Sequence, residues 1–401
     1  MRSGRRHEHR ATLVGMMPIE KLGSQRDAFD IPPGITYLNC ASMAPQLRSA
    51  TRAGIEAVRD GAAPWRLGSA AFFAGPERVR ALAARLMNVD ADDVAVVPSV
   101  SYGIAVAAAN VSVERGQAII VLDQQFPSNV YAWRALAQRR GAELRTVQRA
   151  RDESWTRAIL AAIDSSTAVV AVPNCHWTDG ALVDLKQVGH AARAVGAAFV
   201  VDASQSLGAY PLDVSVVRPD FLVSVGYKWL LGPYTLGYLY VARERITGGR
   251  PLEHSWMGRA GAEDFAKLVD YTDELRAGAR RFDMGESSHF ICVPMAVAGL
   301  EQILQWGVER IQYSLAALTR LLEVGARELG AETLAEGQRV GHLIGIRLPG
   351  LPATSVAESL ASAGIYVSIR GSSIRVAPHL YNDSVDVERF LSALKALIEE
   401  A

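Results

Sequence analysis

A chain of 401 residues is long for one domain and ordinary for a large α/β domain with a smaller companion. Its 42 Lys and Arg balance 42 Asp and Glu, which removes the basic excess of a nucleic-acid binder, and 49% apolar with 21% charged residues excludes a disordered or fibrous chain. No apolar run nears the ~20 residues of a membrane-spanning helix, and three scattered cysteines, Cys40, Cys175 and Cys292, form neither a disulfide framework nor a zinc cluster, so free thiols in a soluble cytoplasmic protein are expected.

The first fifteen residues carry Arg2, Arg5, Arg6 and Arg10 without the apolar segment of a secretory signal. They read as a disordered basic tail, with translation starting at Met16 or Met17 and the rest of an arm to residue 30 packing on the smaller domain. From Val94 onward short β-rich runs alternate with helical ones, the signature of a mainly parallel sheet. Strands are expected at 94–97, 118–122, 168–172, 198–201 and 221–225, with amphipathic helices at 102–110, 130–139, 155–163 and 185–195. The run 237–241 follows too soon for a helical crossover and is expected to be antiparallel. Residues 243–285 lack periodicity and read as loops bordering a site. Helices at 293–306 and 308–329 are expected to be split at Gly307. Strands near 342–347, 366–369 and 374–376 and a helix at 385–399 complete the pattern. The expected architecture is a large mixed, mostly parallel sheet between helices (31–306) and a small α+β domain (307–401).

Sheets of this kind bind ligands beyond the carboxyl ends of their strands. Ser99-Val100-Ser101-Tyr102-Gly103 follows the first strand and opens a helix, where hydroxyls and free N–H groups can hold a phosphate. Phe126 stands in the loop after the second strand, Asn174 ends the third, Asp202 the fourth, and Gly226-Tyr227-Lys228-Trp229 follows the fifth. Only five lysines occur, and Lys228 alone lies outside a charged or polar stretch. A buried lysine, a carboxylate, an aromatic ring and a phosphate cradle are the parts pyridoxal 5'-phosphate (PLP) requires: an imine partner, a counter-charge for the pyridine nitrogen, a stacking face and phosphate donors.

These segments, with Tyr37-Leu38-Asn39, Phe126-Pro127-Ser128-Asn129, Asp202-Ala203-Ser204-Gln205, Gly226-Tyr227-Lys228-Trp229, Arg281-Phe282-Asp283-Met284-Gly285 and Ile374-Arg375-Val376, resemble the class V aminotransferase family of fold type I PLP enzymes over nearly the whole chain. Cysteine desulfurases, kynureninases and isopenicillin-N-epimerase-like proteins belong to it. The resemblance implies Lys228 as Schiff-base lysine and general base, and Asp202 as partner of the pyridine nitrogen. It implies Gln205 and Asn174 beside the ring hydroxyl, and Phe126 stacked on the ring. Val100, Ser101, Tyr227 and Ser224 would hold the phosphate, and Arg375 the substrate carboxylate. Asn39 and Trp256 are further substrate-side candidates, and a homodimer with a shared site is implied. Taken singly, Asp202 and Ser101 also read as helix caps, Phe126 as a core aromatic, Arg375 as an ion-pair partner, and Trp65, Trp229 and Trp256 as packing residues. Cys175 reads as a small buried residue and Cys292 as helix core.

Two departures narrow the chemistry. The stretch 366–373, where desulfurases carry their sulfur-accepting cysteine, has none, and Phe126 replaces the stacking histidine of those enzymes. Amino transfer on an α-amino acid is the leading expectation. β-Elimination, including C–S lysis, kynureninase-like cleavage, epimerisation and decarboxylating deamination share its first step. A silent fold member would lack Lys228, Asp202 or the phosphate loop, and a nucleotide-binding oxidoreductase would need a G-x-G-x-x-G after an early strand.

Overall fold

The computed structural model describes residues 19–150 and 153–400, and the basic first fifteen residues with Met16 and Met17 lie outside them. A short strand, β1 (Thr36–Tyr37), precedes the main sheet. That sheet contains β2 (Val94–Val97), β3 (Ala118–Leu122), β4 (Glu143–Val147), β5 (Thr167–Pro173), β6 (Ala198–Asp202), β7 (Phe221–Val225) and β8 (Gly237–Val241). Its order is β2-β8-β7-β6-β5-β3-β4, and β8 alone runs antiparallel to its neighbours, as the short 226–236 connection requires. Successive side chains enter opposite faces. Val94 and Val96 therefore join one apolar cluster and Ala95 and Val97 the other, and both clusters are covered by helices. A sheet buried on both faces needs the unbroken apolar runs seen here.

The expected helices appear within a few residues, and two more, Arg48–Gly61 and Ser69–Met87, precede β2. β4 has no counterpart in the hydrophobic pattern because it is an edge strand carrying Glu143, Arg145 and Thr146, a composition that blunts edge pairing. Gly307 takes φ 81°, a left-handed conformation that breaks helix Cys292–Trp306 from helix Val308–Glu328. Residues 243–285 hold one short helix, Arg243–Ile246, and isolated 3₁₀ turns.

The C-terminal part has β9 (Ile344–Ile346), β10 (Ile365–Tyr366), β11 (Ser368–Arg370) and β12 (Ser373–Val376). The expected strand at 366–369 is two strands with different partners. β10 pairs in parallel with β1, and β11 pairs with β12 in the antiparallel sheet β11-β12-β9. Helix Ala353–Ser362, absent from the sequence expectation, covers this sheet beside the final helix, Ser384–Glu399. Residues 22–36 run along it: Leu22 N–H donates to Ser314 Oγ and Thr36 Oγ1 to Asp386. Among the described residues no helix is long and apolar enough to cross a membrane.

Candidate active site

Parallel register places Pro173 of β5 beside Asp202 of β6, and Asp202 beside Val223 of β7, so the segments leaving these strands converge beyond one end of the sheet. There Phe126, Trp177, Asp202, Ser204, Gln205 and Lys228 line one small pocket. Lys228 is buried, with its ammonium nitrogen 5.2 Å from the centre of the Phe126 ring and 5.7 Å from that of Tyr227. Burial lowers its pKa to about 8. Arg375 and Arg370 add to the fall, while Asp202 opposes it. The Asp202 carboxyl is pushed up by burial and held back by the hydrogen bonds of Ser204, whose N–H donates to Oδ1 at 3.0 Å, and by Lys228. The other four lysines are exposed.

Helix Val100–Asn110 begins just past β2. Ser99 caps it by accepting from Tyr102 N–H at 3.1 Å, and its hydroxyl meets that of Ser101 at 2.8 Å. The N–H groups of Val100 and Ser101, in the first turn, have no acceptor within the helix. A Cβ on Gly103 would come within 2.6 Å of Val223 Cγ2, so glycine lets this helix start sit directly on β7. Tyr102 donates to the Asp283 carbonyl at 3.4 Å, and buried Arg80 clamps the Asp283 carboxylate, which also accepts from Val96 N–H at 2.8 Å. The Arg281–Gly285 segment thus braces the strand that feeds the loop.

Arg375, on β12, is 1% exposed. One guanidinium nitrogen donates to the Trp177 carbonyl at 3.0 Å, while Nε and Nη2 have no partner. Elsewhere the fold pairs its buried arginines, Arg80 with Asp283 and Arg339 with Glu323. Two buried unpaired donors on one guanidinium fit an incoming carboxylate. Asn39 bridges to Ala377 on the same segment, and its Oδ1 is buried without a partner.

Not every expected residue reaches the pocket. Asn174 donates to the Val183 carbonyl at 3.3 Å and lines a different cleft of about 800 Å³, which holds neither Lys228 nor Asp202. Pro173, Cys175 and Trp177 line the pocket, whereas Asn174, in the bend just past β5, and His176, which stacks on Trp155, do not. Trp177, absent from the sequence reading, occupies the position expected of Asn174, its ring edge-on to Phe126 at 5.3 Å. It lies in the turn after β5, which strand spacing does not reach. Trp256 sits in an aromatic cluster with Phe72, Phe73 and Phe265, away from the pocket lining. Trp229 is core, and Trp65 is exposed. Gln205 lines the pocket, but its amide already spans the Ala41 carbonyl and Trp229 Nε1. Ser224 lies inside β7 and donates to the Val225 carbonyl. Cys175 is buried, whereas Cys292, expected in a helix core, is the half-buried first residue of its helix.

The sequence profile of aminotransferase class-V matches residues 68–390. The chain belongs to the class V aminotransferase family. It is 27% identical over 329 residues to an uncharacterized aminotransferase, YcbU, of Bacillus subtilis, covering 78% of this chain and 81% of the relative. Against a probable cysteine desulfurase of Methanothermobacter thermautotrophicus the identity is 25%, covering 88% and 92%. A solved structure of a C-DES mutant with glycine covalently linked to the PLP cofactor superposes with a TM-score of 0.83 at 20% identity, covering 92% of this chain and 98% of that one. The fold is that of the fold type I PLP enzymes, and the cofactor of this family is PLP.

The pocket fits that group: a buried amine, a buried carboxylate with no ion-pair partner at salt-bridge distance among the described residues, an aromatic face and a helix start with free N–H groups. Lys228 reacts with an aldehyde only as the neutral amine. A pKa of about 8 therefore predicts that cofactor-free protein takes up PLP at a rate that rises through pH 8, levels off above it and falls ~10-fold per pH unit below. Stopped-flow absorbance reads this directly, and a midpoint near 10 would refute it.

Proposed function

We propose that the protein is an aminotransferase acting on an α-amino acid, with Lys228 as the amine that carries PLP and relays the Cα proton. Bound PLP supplies an electron sink for a bond broken at Cα. Asp202 would keep the pyridine nitrogen protonated. The N–H groups of Val100 and Ser101, with the Ser99 and Ser101 hydroxyls and Tyr227, would hold the phosphate, and Phe126 would cover the ring. Arg375 would fix the substrate carboxylate and so aim the Cα–H bond at Lys228, whose neutral nitrogen accepts the proton and returns it. The observation that carries this reading is the low-pKa amine beside Asp202 in one buried pocket, with Arg375 and its two unpaired donor nitrogens against Trp177 of the pocket wall and close enough to lower the Lys228 pKa.

Storage of sulfur on the enzyme is disfavoured. Cys40 and Cys175 are buried, and burial drives both thiols far up, so neither is a thiolate near neutral pH. β-Elimination is the second reading, because Lys228 serves it equally well. A single addition of amino acid without keto acid separates the two. Mass spectrometry should find the cofactor converted to pyridoxamine phosphate, whereas continuing ammonia release with unmodified PLP would overturn the proposal.

Arg375→Ala is expected to raise KM for α-amino acids by about 10²-fold, the scale of a lost charge-assisted pair, and to leave PLP binding intact. Steady-state kinetics with an absorbance titration of PLP checks this, and lost PLP with unchanged KM would misplace the residue.

We read residues 31–306 as the cofactor-binding domain, 307–401 as the smaller domain and the functional unit as a cytoplasmic homodimer. Trp65 at 80% and Tyr271 at 97% exposure support a covering second copy. Phe72 contacts both Phe265 and Phe290, which ties the exposed 265–271 and 290–291 segments to one region. Light scattering should return twice the 43.2 kDa chain mass.

A further inference from the structure

Arg375 has a neighbour of the same charge. In the β11–β12 hairpin Ser368 pairs with Arg375 and Arg370 with Ser373. Paired residues share a face, so Arg370 and Arg375 stand on the same face as diagonal neighbours, roughly 7–8 Å apart at the backbone. Both guanidinium groups approach the ring of Trp177, at 5.0 Å for Arg370 and 5.9 Å for Arg375. Each depresses the proton affinity of its surroundings: Arg370 acts on Arg375, and both act on Lys228.

Two adjacent, partly desolvated cations repel each other, and a fold that keeps both without a counter-charge loses stability by it. No carboxylate among the described residues forms an ion pair with either. Arg370 is half-buried, donates to the Ile369 carbonyl and leaves Nε without a partner. Of the two carboxylates lining the same polar recess as Arg370, Asp179 is engaged by Arg149 at 2.9 Å, and Asp123 accepts from the Gln124 side-chain amide at 3.4 Å and forms no ion pair with Arg370. That recess, about 280 Å³, is lined in part by Gln124, whose carbonyl accepts from the indole N–H of Trp177 at 2.7 Å, and Trp177 itself lines the Lys228 pocket. Both guanidinium groups therefore lie beside one ring that also lines the Lys228 pocket.

We infer that the substrate is an amino acid with a second anionic group, its α-carboxylate on Arg375 and its side-chain carboxylate on Arg370, both arginines lying beside the Trp177 ring. This rests on the reading of Arg375 given above and adds the substrate class. The alternative is that both arginines grip one carboxylate, and ligands with one and two carboxylates tell these apart.

Calorimetry with unreactive acids provides the test on PLP-loaded protein: succinate and glutarate against propionate and butyrate, for the wild type, Arg370→Gln and Arg370→Lys. The wild type should bind the dicarboxylates at least about 10-fold more tightly than the monocarboxylates, the scale of one charge-assisted hydrogen bond. Arg370→Gln should bring that ratio close to one, and Arg370→Lys should restore part of it. The same order should hold for aspartate and glutamate over asparagine and glutamine in spectral titrations. Equal wild-type affinities, or an Arg370→Gln loss that is the same for both acid classes, would overturn the inference. Thermal unfolding confirms that the variants are folded. Reductive labelling of Lys228 reports the cofactor reading separately, so protein incubated with PLP that shows no label on Lys228 yet keeps the dicarboxylate ratio would sink that reading and spare this one.

Discussion

Lys228→Ala is expected to abolish turnover, with kcat/KM falling by roughly 10⁴-fold or more, because one side chain is both the attachment point of PLP and the proton relay. Borohydride treatment of the PLP-loaded wild type should label a single peptide, the one containing Lys228, and the variant should show no label. The four other lysines are exposed and stand outside the pocket that would hold the ring and the phosphate, so they do not compete for a slow, specific reaction. Label on Lys186 or Lys395, or none on reconstituted wild type, would sink the assignment. The variant should fold, since a smaller neutral group removes a buried amine that costs the empty site desolvation energy.

That result would test a residue legible from sequence for a definite reason. Lys228 sits in an apolar and aromatic stretch, whereas its four counterparts lie among charged or polar residues, and the structure places those four at the surface. Asp202 was legible because a strand of five buried residues ends on it. The same rule failed one strand away. Asn174 also follows an apolar run, but ending a strand says nothing about where a side chain points, and the bend and turn after Pro173 bring Trp177 rather than Asn174 to the pocket lining. Arg370 had no local signal. Its significance comes from hairpin register with Arg375 and from the absence of a carboxylate ion-pair partner among the described residues, and both exist only once β11 and β12 are paired. Trp256 reads from sequence as either a substrate-side or a packing residue, and the Phe72 and Phe73 rings that hold it come from a helix far earlier in the chain, Ser69–Met87. Helices and buried strands were readable from local apolar spacing, while β4 was hidden by the polarity that an edge strand requires.

Asp202→Ala and Asp202→Asn together ask whether position or charge matters at the ring nitrogen. Asparagine keeps an oxygen able to accept from Ser204 N–H, as Asp202 Oδ1 does at 3.0 Å, and alanine does not. If charge keeps the pyridine nitrogen protonated, both variants should lose ~10²-fold or more in kcat while binding PLP through Lys228 and the helix start at Val100 and Ser101. A second readout moves in a calculable direction. Asp202 raises the Lys228 pKa against the lowering by burial, so removing its charge should shift the pH midpoint of PLP uptake below the wild-type value of about 8. A merely structural carboxylate would destabilise the fold in the alanine variant and leave asparagine near normal in rate. Near-normal turnover of Asp202→Asn would therefore remove Asp202 from the chemistry, whereas a large rate loss with a downward midpoint shift ties the carboxylate electrostatically to both the cofactor nitrogen and Lys228.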